Sequence, residues 1–182
     1  FETARRLLEV SDVTTVVMIA RESDAFTEAT SILKERATQL GKRVMSYTAD
    51  VGDRDELRGV ISEVFETAGN VDLLVNNAGY TSPVPLHQID FADFESTMSV
   101  TLYAPFTLVQ DLLHLGNAFE LIVNIASTAG ITGRSGWLTY SASKAAVINM
   151  SQVLREELSI FGTRVVCISP GRTATALRKV LA

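Results

Sequence analysis

Cysteine is nearly missing: Cys167 is the single one among 182 residues. No intrachain disulfide can form, so a buried core must hold the fold. The thiol stands in Val165-Val166-Cys167-Ile168, which reads as a buried strand, and it is expected to be a small core residue rather than a reactive group. The two histidines, His87 and His114, have no Cys, His or carboxylate at ligand spacing, so no metal site is expected. No apolar run approaches the roughly 20 residues that a membrane helix needs, and no charged-then-apolar leader opens the chain; a cytoplasmic protein without membrane contacts is expected. Lys and Arg number 16 against 21 Asp and Glu, a formal charge of −5 with the cations scattered. That distribution lacks the basic stripe of a nucleic-acid binder and leaves small molecules as the expected partners. The four prolines and 11 glycines are sparse and fall in loops, notably Ser82-Pro83-Val84-Pro85 and 130–136.

What the chain does contain is an alternation. Residues 14–20, 43–50, 71–76, 120–125 and 163–169 are short runs rich in Val, Ile and Leu and read as strands buried on both faces. Between them lie segments of helical period. Over 23–40 the residues Ala29, Ile32, Leu33, Ala37 and Leu40 are expected to point inward, with Gly41 closing the helix. Asp53, followed three residues later by Glu56, reads as a capping box ahead of Leu57, Val60, Ile61, Val64 and Phe65. Further long helices are expected over 90–115 and 135–162. Such a series predicts a three-layer α/β fold, a doubly wound parallel sheet with helices on both faces, in one domain spanning 1–182. In that architecture ligands bind beyond the carboxyl ends of the strands, and the motifs below all lie there.

Tyr140-Ser-Ala-Ser-Lys144 carries the chemistry, with Ser127 thirteen residues upstream. On a helix Tyr140 and Lys144 stand one turn apart on one face, so the ammonium reaches the neighbourhood of the phenol. A free phenol titrates near 10, and a fixed cation beside it favours the phenolate, which suits general acid/base work. Ser127 is the candidate donor to a substrate oxygen while hydride reaches carbon.

Asn76-Asn77-Ala78-Gly79, Asn124-Ile125-Ala126-Ser127-Thr128-Ala129-Gly130, Tyr140-Ser-Ala-Ser-Lys144 and Pro170-Gly171, in this order and spacing, resemble the short-chain dehydrogenase/reductase family over nearly the whole chain. The resemblance implies a Rossmann-like fold and an oxidoreductase that interconverts a carbonyl and a secondary alcohol with NAD(P)(H). It implies that Ser127 orients the substrate oxygen, that Tyr140 is the general acid/base, and that Lys144 binds the nicotinamide ribose. Further cofactor contacts are implied at Asp50 and Val51, at Asn77, Ala78 and Gly79, and at Pro170, Gly171, Thr173 and Thr175. A homodimer or homotetramer through 90–115 and 135–162 is implied as well. One position departs: Thr101, in Val100-Thr101-Leu102, stands where the family has an Asn that helps hold a water linked to the Lys. A non-catalytic dinucleotide-binding or scaffold protein of the same fold is the rival reading that this departure motivates.

At the end of the second family strand the sequence reads Ile19-Ala20-Arg21. Ala20 offers no carboxylate to repel a 2′-phosphate and Arg21 can pair with one, so NADP(H) is favoured, with NAD(H) still admissible if Arg21 only begins a solvated helix. The Gly-rich pyrophosphate turn is not found. The chain opens at Phe1-Glu-Thr-Ala-Arg-Arg, like the body of the helix that follows that turn. A first strand, and a closing helix and strand beyond Ala182, are therefore expected in a longer molecule. Arg134, Arg172 and Arg178 suit an anionic substrate or are plain surface residues. The stretches Gly133-Arg134-Ser135-Gly136, Tyr140-Ser141, Lys144-Ala-Ala-Val147 and Arg172-Thr173 are similar to pentulose-phosphate reductase domains. Pentulose phosphates and 3-oxoacyl thioesters both stand open as substrates.

Overall fold

The computed structural model describes residues 1–10 and 12–171. Thr173 and Thr175, like Arg172 and Arg178, lie outside the described residues. Two compact units form, one from Phe1 to Gly69 and one from Asn70 onward.

The first unit runs α1 (Glu2–Leu8), β1 (Thr15–Ala20), α2 (Asp24–Gln39), β2 (Arg43–Thr48) and α3 (Arg54–Ala68). β1 and β2 pair in parallel, from Thr15 opposite Arg43 to Ala20 opposite Thr48. Ala4, Leu8, Val16, Leu33, Ala37 and Val44 form the core against which Leu7, Val13 and Met18 pack. Each large side chain buried there contributes about 1.5–3 kcal/mol. Helix α2 starts because the Ser23 hydroxyl accepts from Phe26 N–H at 3.1 Å, and it ends at Gly41, whose φ of 66° is open to glycine. Its inward face differs from the expected one: Thr30, Leu33 and Ala37 are buried, while Ile32 and Leu40 are exposed. Ile32 stands about 100° around the helix from Leu33, enough to turn it off the core.

The cap of α3 also differs in detail. Asp53 accepts from Asp55 N–H at 2.9 Å and Glu56 N–H at 3.1 Å, as an N-cap should. Glu56, however, accepts from Asp50 N–H at 2.8 Å rather than returning to Asp53. The Asp53 N–H is already given to the Asp50 carbonyl, so the carboxylate finds the next free donor. Leu57, Ile61 and Val64 are buried beneath this helix.

The second unit holds β3 (Leu73–Asn76), β4 (Leu121–Ile125) and β5 (Arg164–Ile168), parallel and in that order. Around them lie α4 (Phe91–Met98), α5 (Ala104–His114) and α6 (Leu138–Ser159). At the amino ends of β3 and β4 the buried Asn117 amide accepts from Val71 N–H and donates to Val71 O, and Asn70 makes the same reciprocal pair with Ala118. These clasps satisfy backbone groups where the strands begin. β5 is not covered on both faces: Val165 is buried, but Val166 and Ile168 are exposed among the described residues. The segment expected as one helix over 90–115 is interrupted by a π-helical turn, Ser99–Tyr103. Helix α6 is shorter than expected because Gly136, at φ 77°, turns the chain just ahead of it.

Candidate active site

In the first unit the carboxyl ends of β1 and β2 open on a cleft of about 570 Å³ lined by Arg21, Glu22, Thr48, Ala49, Asp50, Glu56, Gly59, Val60 and Glu63. Arg21 is exposed at the end of β1, directly after Ala20. Asp50 is held firmly: its N–H binds Glu56, its carbonyl accepts from Asp53, and its Oδ1 accepts from Gly52 N–H at 2.9 Å. Val51 follows it, half-buried in the turn before α3.

In the second unit β4 leads into Ser127, whose Oγ accepts from Ala129 N–H at 3.1 Å and so starts the short 3-10 turn Thr128–Gly130. That acceptance leaves the hydroxyl proton free to be donated elsewhere. Thr128 N–H donates to Pro170 O at 3.0 Å, which ties the turn to the segment after β5 that ends, among the described residues, at Gly171. The turn docks on α6 with no side chain between them. A Cβ at Gly130 would lie 2.6 Å from the Lys144 carbonyl carbon and 2.7 Å from Ala145 N.

Lys144 is buried, 4% exposed, and donates from Nζ to Ile125 O at 2.6 Å. Burial pushes its ammonium down to about 8, against a smaller upward pull from Cys167. Nζ lies 5.8 Å from the centroid of the Tyr140 ring. It therefore stands beside the phenol, as the helical spacing predicts, but takes a main-chain carbonyl as its hydrogen-bond partner. A Cβ on Gly79 would be 3.7 Å from Nζ, which puts the exposed Asn77–Gly79 segment against the ammonium. Trp137, just before α6, meets Tyr140 edge to face with ring centroids 5.7 Å apart.

Ser127, Tyr140, Lys144, Gly79 and Pro170 are thus gathered at the carboxyl end of one parallel sheet. Two features were not legible in the motifs. The first is a buried relay in which Asn76 donates to Asn124 Oδ1 at 2.7 Å, Asn124 donates to Ser151 Oγ at 2.9 Å, and Ser151 donates to Val147 O at 2.7 Å. Asparagines inside strands were the available signal, since a buried amide must find partners. The second is the π-turn around Thr101, which packs against α6. Thr101 is 1% exposed and its Oγ1 has no hydrogen-bond partner among the described residues.

The model of the short chain dehydrogenase family matches residues 1–182. The chain belongs to the short-chain dehydrogenase family. Among its relatives, the 3-oxoacyl-(acyl-carrier-protein) reductase FabG of Thermotoga maritima is 34% identical over 153 residues, covering 83% of this chain and 62% of that protein. The L-fucose dehydrogenase of Mus musculus is 39% identical over 135 residues, covering 73% of this chain and 50% of that protein. This chain therefore spans about half to three fifths of the length of these curated relatives. Among solved structures, a short chain dehydrogenase from Burkholderia cenocepacia in complex with NADP superposes with a TM-score of 0.85 at 29% identity, over 96% of this chain and 69% of that one. The short-chain dehydrogenase chain thus has the Rossmann-like α/β fold that its motifs imply.

Proposed function

We propose that the protein interconverts a carbonyl and a secondary alcohol with a nicotinamide dinucleotide, and that Tyr140 is its general acid/base. The observation that carries this reading is the setting of Lys144: a buried ammonium, anchored on Ile125 O, with the Tyr140 ring and Gly79 beside it. The residues fit such a cofactor. Asn77, Ala78 and Gly79 present an exposed, nearly side-chain-free surface next to an ammonium that has two N–H groups left after the Ile125 bond, and ribose hydroxyls would accept them. Asp50 and Val51 would hold the adenine, with Pro170, Gly171, Thr173 and Thr175 at the nicotinamide end. The cofactor supplies or takes up the hydride when bound. Ser127 donates its hydroxyl to the substrate oxygen, and Tyr140 gives that oxygen a proton in reduction and recovers it in oxidation. Lys144 stabilises negative charge that develops at the phenol oxygen during the transfer.

NADP(H) in preference to NAD(H) is part of the same proposal. Among the described residues lining its cleft Arg21 is the cation, against Glu22, Asp50, Glu56 and Glu63, and it is the residue there that would pair with a 2′-phosphate. A 3-oxoacyl thioester and a pentulose phosphate are both compatible substrates. Self-association through the helical segments 90–115 and 135–162, to a homodimer or homotetramer in the cytoplasm, also belongs to the reading, and Tyr103, Phe106 and Val153 are exposed apolar side chains on them. Substitution Tyr140→Phe in the full-length protein tests the core claim. Turnover is expected to fall by roughly 10²–10⁴ while NADPH binding is kept; turnover within tenfold of the parent would overturn it.

A second reading, a dinucleotide-binding protein without efficient proton transfer, rests on the buried hydroxyl of Thr101, which has no partner among the described residues. Thr101→Asn separates the two. A large gain in turnover would mean that proton delivery to Lys144 is impaired by Thr101, and an unchanged rate would mean that another group serves in its place.

A further inference from the structure

The segment between Ser127 and Tyr140 exposes apolar surface beside the proposed reaction centre. Ile131 is 69% exposed and Leu138 47% exposed, and Trp137 and Tyr140 are both half-buried. The main chain at Trp137 is held in place: its backbone N–H donates to Arg134 O at 3.1 Å, and its carbonyl accepts from Ser141 N–H at 2.8 Å. Its ring meets Tyr140 at 68°, a T-shaped pair that fixes both rings relative to each other. On its N-terminal side, Gly136 brings the chain to the carbonyl of Val84, 4.0 Å from the position a Cβ would take, so the Ser82–Pro85 loop borders the same space. A rigid aromatic surface left partly in water, next to a proton-transfer residue, matches the way ligand sites combine apolar walls with a few polar groups.

We propose that Trp137 is a specificity residue: its ring is the platform for an apolar, planar or alkyl group on the carbon being reduced, so the substrate is an aryl or long-alkyl ketone, or the matching alcohol, rather than a compact anionic ketose. This rests on the carbonyl reductase reading of the site. Arg134, exposed in the same segment, is the feature that would favour an anion instead, and the assay places the two in competition.

The full-length protein with NADPH is assayed on acetophenone and on dihydroxyacetone phosphate. Acetophenone is expected to have at least a tenfold higher kcat/KM. Trp137→Ala is expected to raise its KM at least tenfold with kcat within threefold, and Trp137→Phe to restore most of the loss. Preference for dihydroxyacetone phosphate overturns the proposal. So does an equal fall in kcat for both ketones at unchanged KM, which would make Trp137 only a support for Tyr140. Trp137 is the one tryptophan of these 182 residues, and the emission lost in Trp137→Phe reports on the platform without turnover. If neither ketone is reduced with either cofactor, titration of 1-phenylethanol into the protein with NADP⁺ decides the platform: a saturable emission change that Trp137→Phe abolishes supports it and a flat titration overturns it; the reductase reading itself fails only if a 3-oxoacyl thioester and a pentulose phosphate are not reduced either.

Discussion

Replacing Gly130 by alanine adds one methyl group where none fits. The new Cβ would lie 2.6 Å from the Lys144 carbonyl carbon, 2.7 Å from Ala145 N and 2.9 Å from Lys144 O. Carbon atoms in contact prefer about 3.5–4.0 Å, so the turn after Ser127 and helix α6 must separate by roughly 1 Å at Lys144. The obstructing atoms are main chain in the interior of a 22-residue helix, and no side chain can swing away to absorb the clash. Overpacking of this kind costs about 1–3 kcal/mol. For a chain of this length, each kcal/mol lowers Tm by about 2–4 °C. The chemical effect should be larger, since misplacement by about 1 Å can cost 10²-fold in rate. Thermal unfolding and steady-state turnover of Gly130→Ala against the parent measure both. A variant with unchanged Tm and unchanged kcat would refute the claim that this backbone contact sets the distance between Ser127 and the Tyr140–Lys144 helix.

Two further outcomes follow from charge. The Lys144 ammonium titrates at about 8 in the fold against 10.5 when unperturbed, so the unfolded chain binds the extra proton between these values and stability rises with pH there, by on the order of 3 kcal/mol for a full shift. Urea unfolding at pH 7 and pH 10 should show that rise in the parent and lose it in Lys144→Met; equal slopes in both would refute it. Arg21→Ala should weaken NADPH binding about 10–100-fold, the worth of a charge-assisted contact, and leave NADH binding nearly unchanged in a fluorescence titration; parallel losses for both cofactors would refute a role for Arg21 at the 2′-phosphate.

The strands, and the nearness of Tyr140 to Lys144, were legible in the sequence because both depend on local pattern. Runs such as Leu73–Asn76 and Leu121–Ile125 carry their own period, and Tyr140 and Lys144 need only the helix to be neighbours. What stayed hidden depends on which atoms meet across the fold. Periodicity counted Ile32 and Leu40 as inward, but the direction of the core selects Leu33 and Ala37 from among the apolar residues of α2. Lysine at position 144 announces a cation, yet that Ile125 O is its partner follows only from the docking of α6 on β4. Gly130 reads as a loop residue until the main chain of Lys144 and Ala145 is seen against it. The π-turn at Ser99–Tyr103 has no local marker, since Pro105 lies beyond it in α5.

The way α6 is held bears on why its buried face is so polar. Thr139, Ser143, Lys144 and Ser151 are buried along with Val147 and Leu158, so a face that could have been wholly apolar carries three hydroxyls and an ammonium. Apolar contacts are non-directional, and a helix seated on them alone can rotate or slide at small cost. Hydrogen bonds fix both. Lys144 binds Ile125 O, and one turn and three residues on, Ser151 receives the amide of Asn124, the residue just before Ile125 on β4. Two directional contacts to adjacent strand residues, with the Gly130 turn wedged against the helix backbone at Lys144 and Ala145, define the axial position and the rotation of α6 together. The buried ammonium makes this arrangement less stable than an apolar face of the same volume would be. It also specifies where the phenol stands, and the proton transfer proposed for Tyr140 depends on that placement more than on surplus stability.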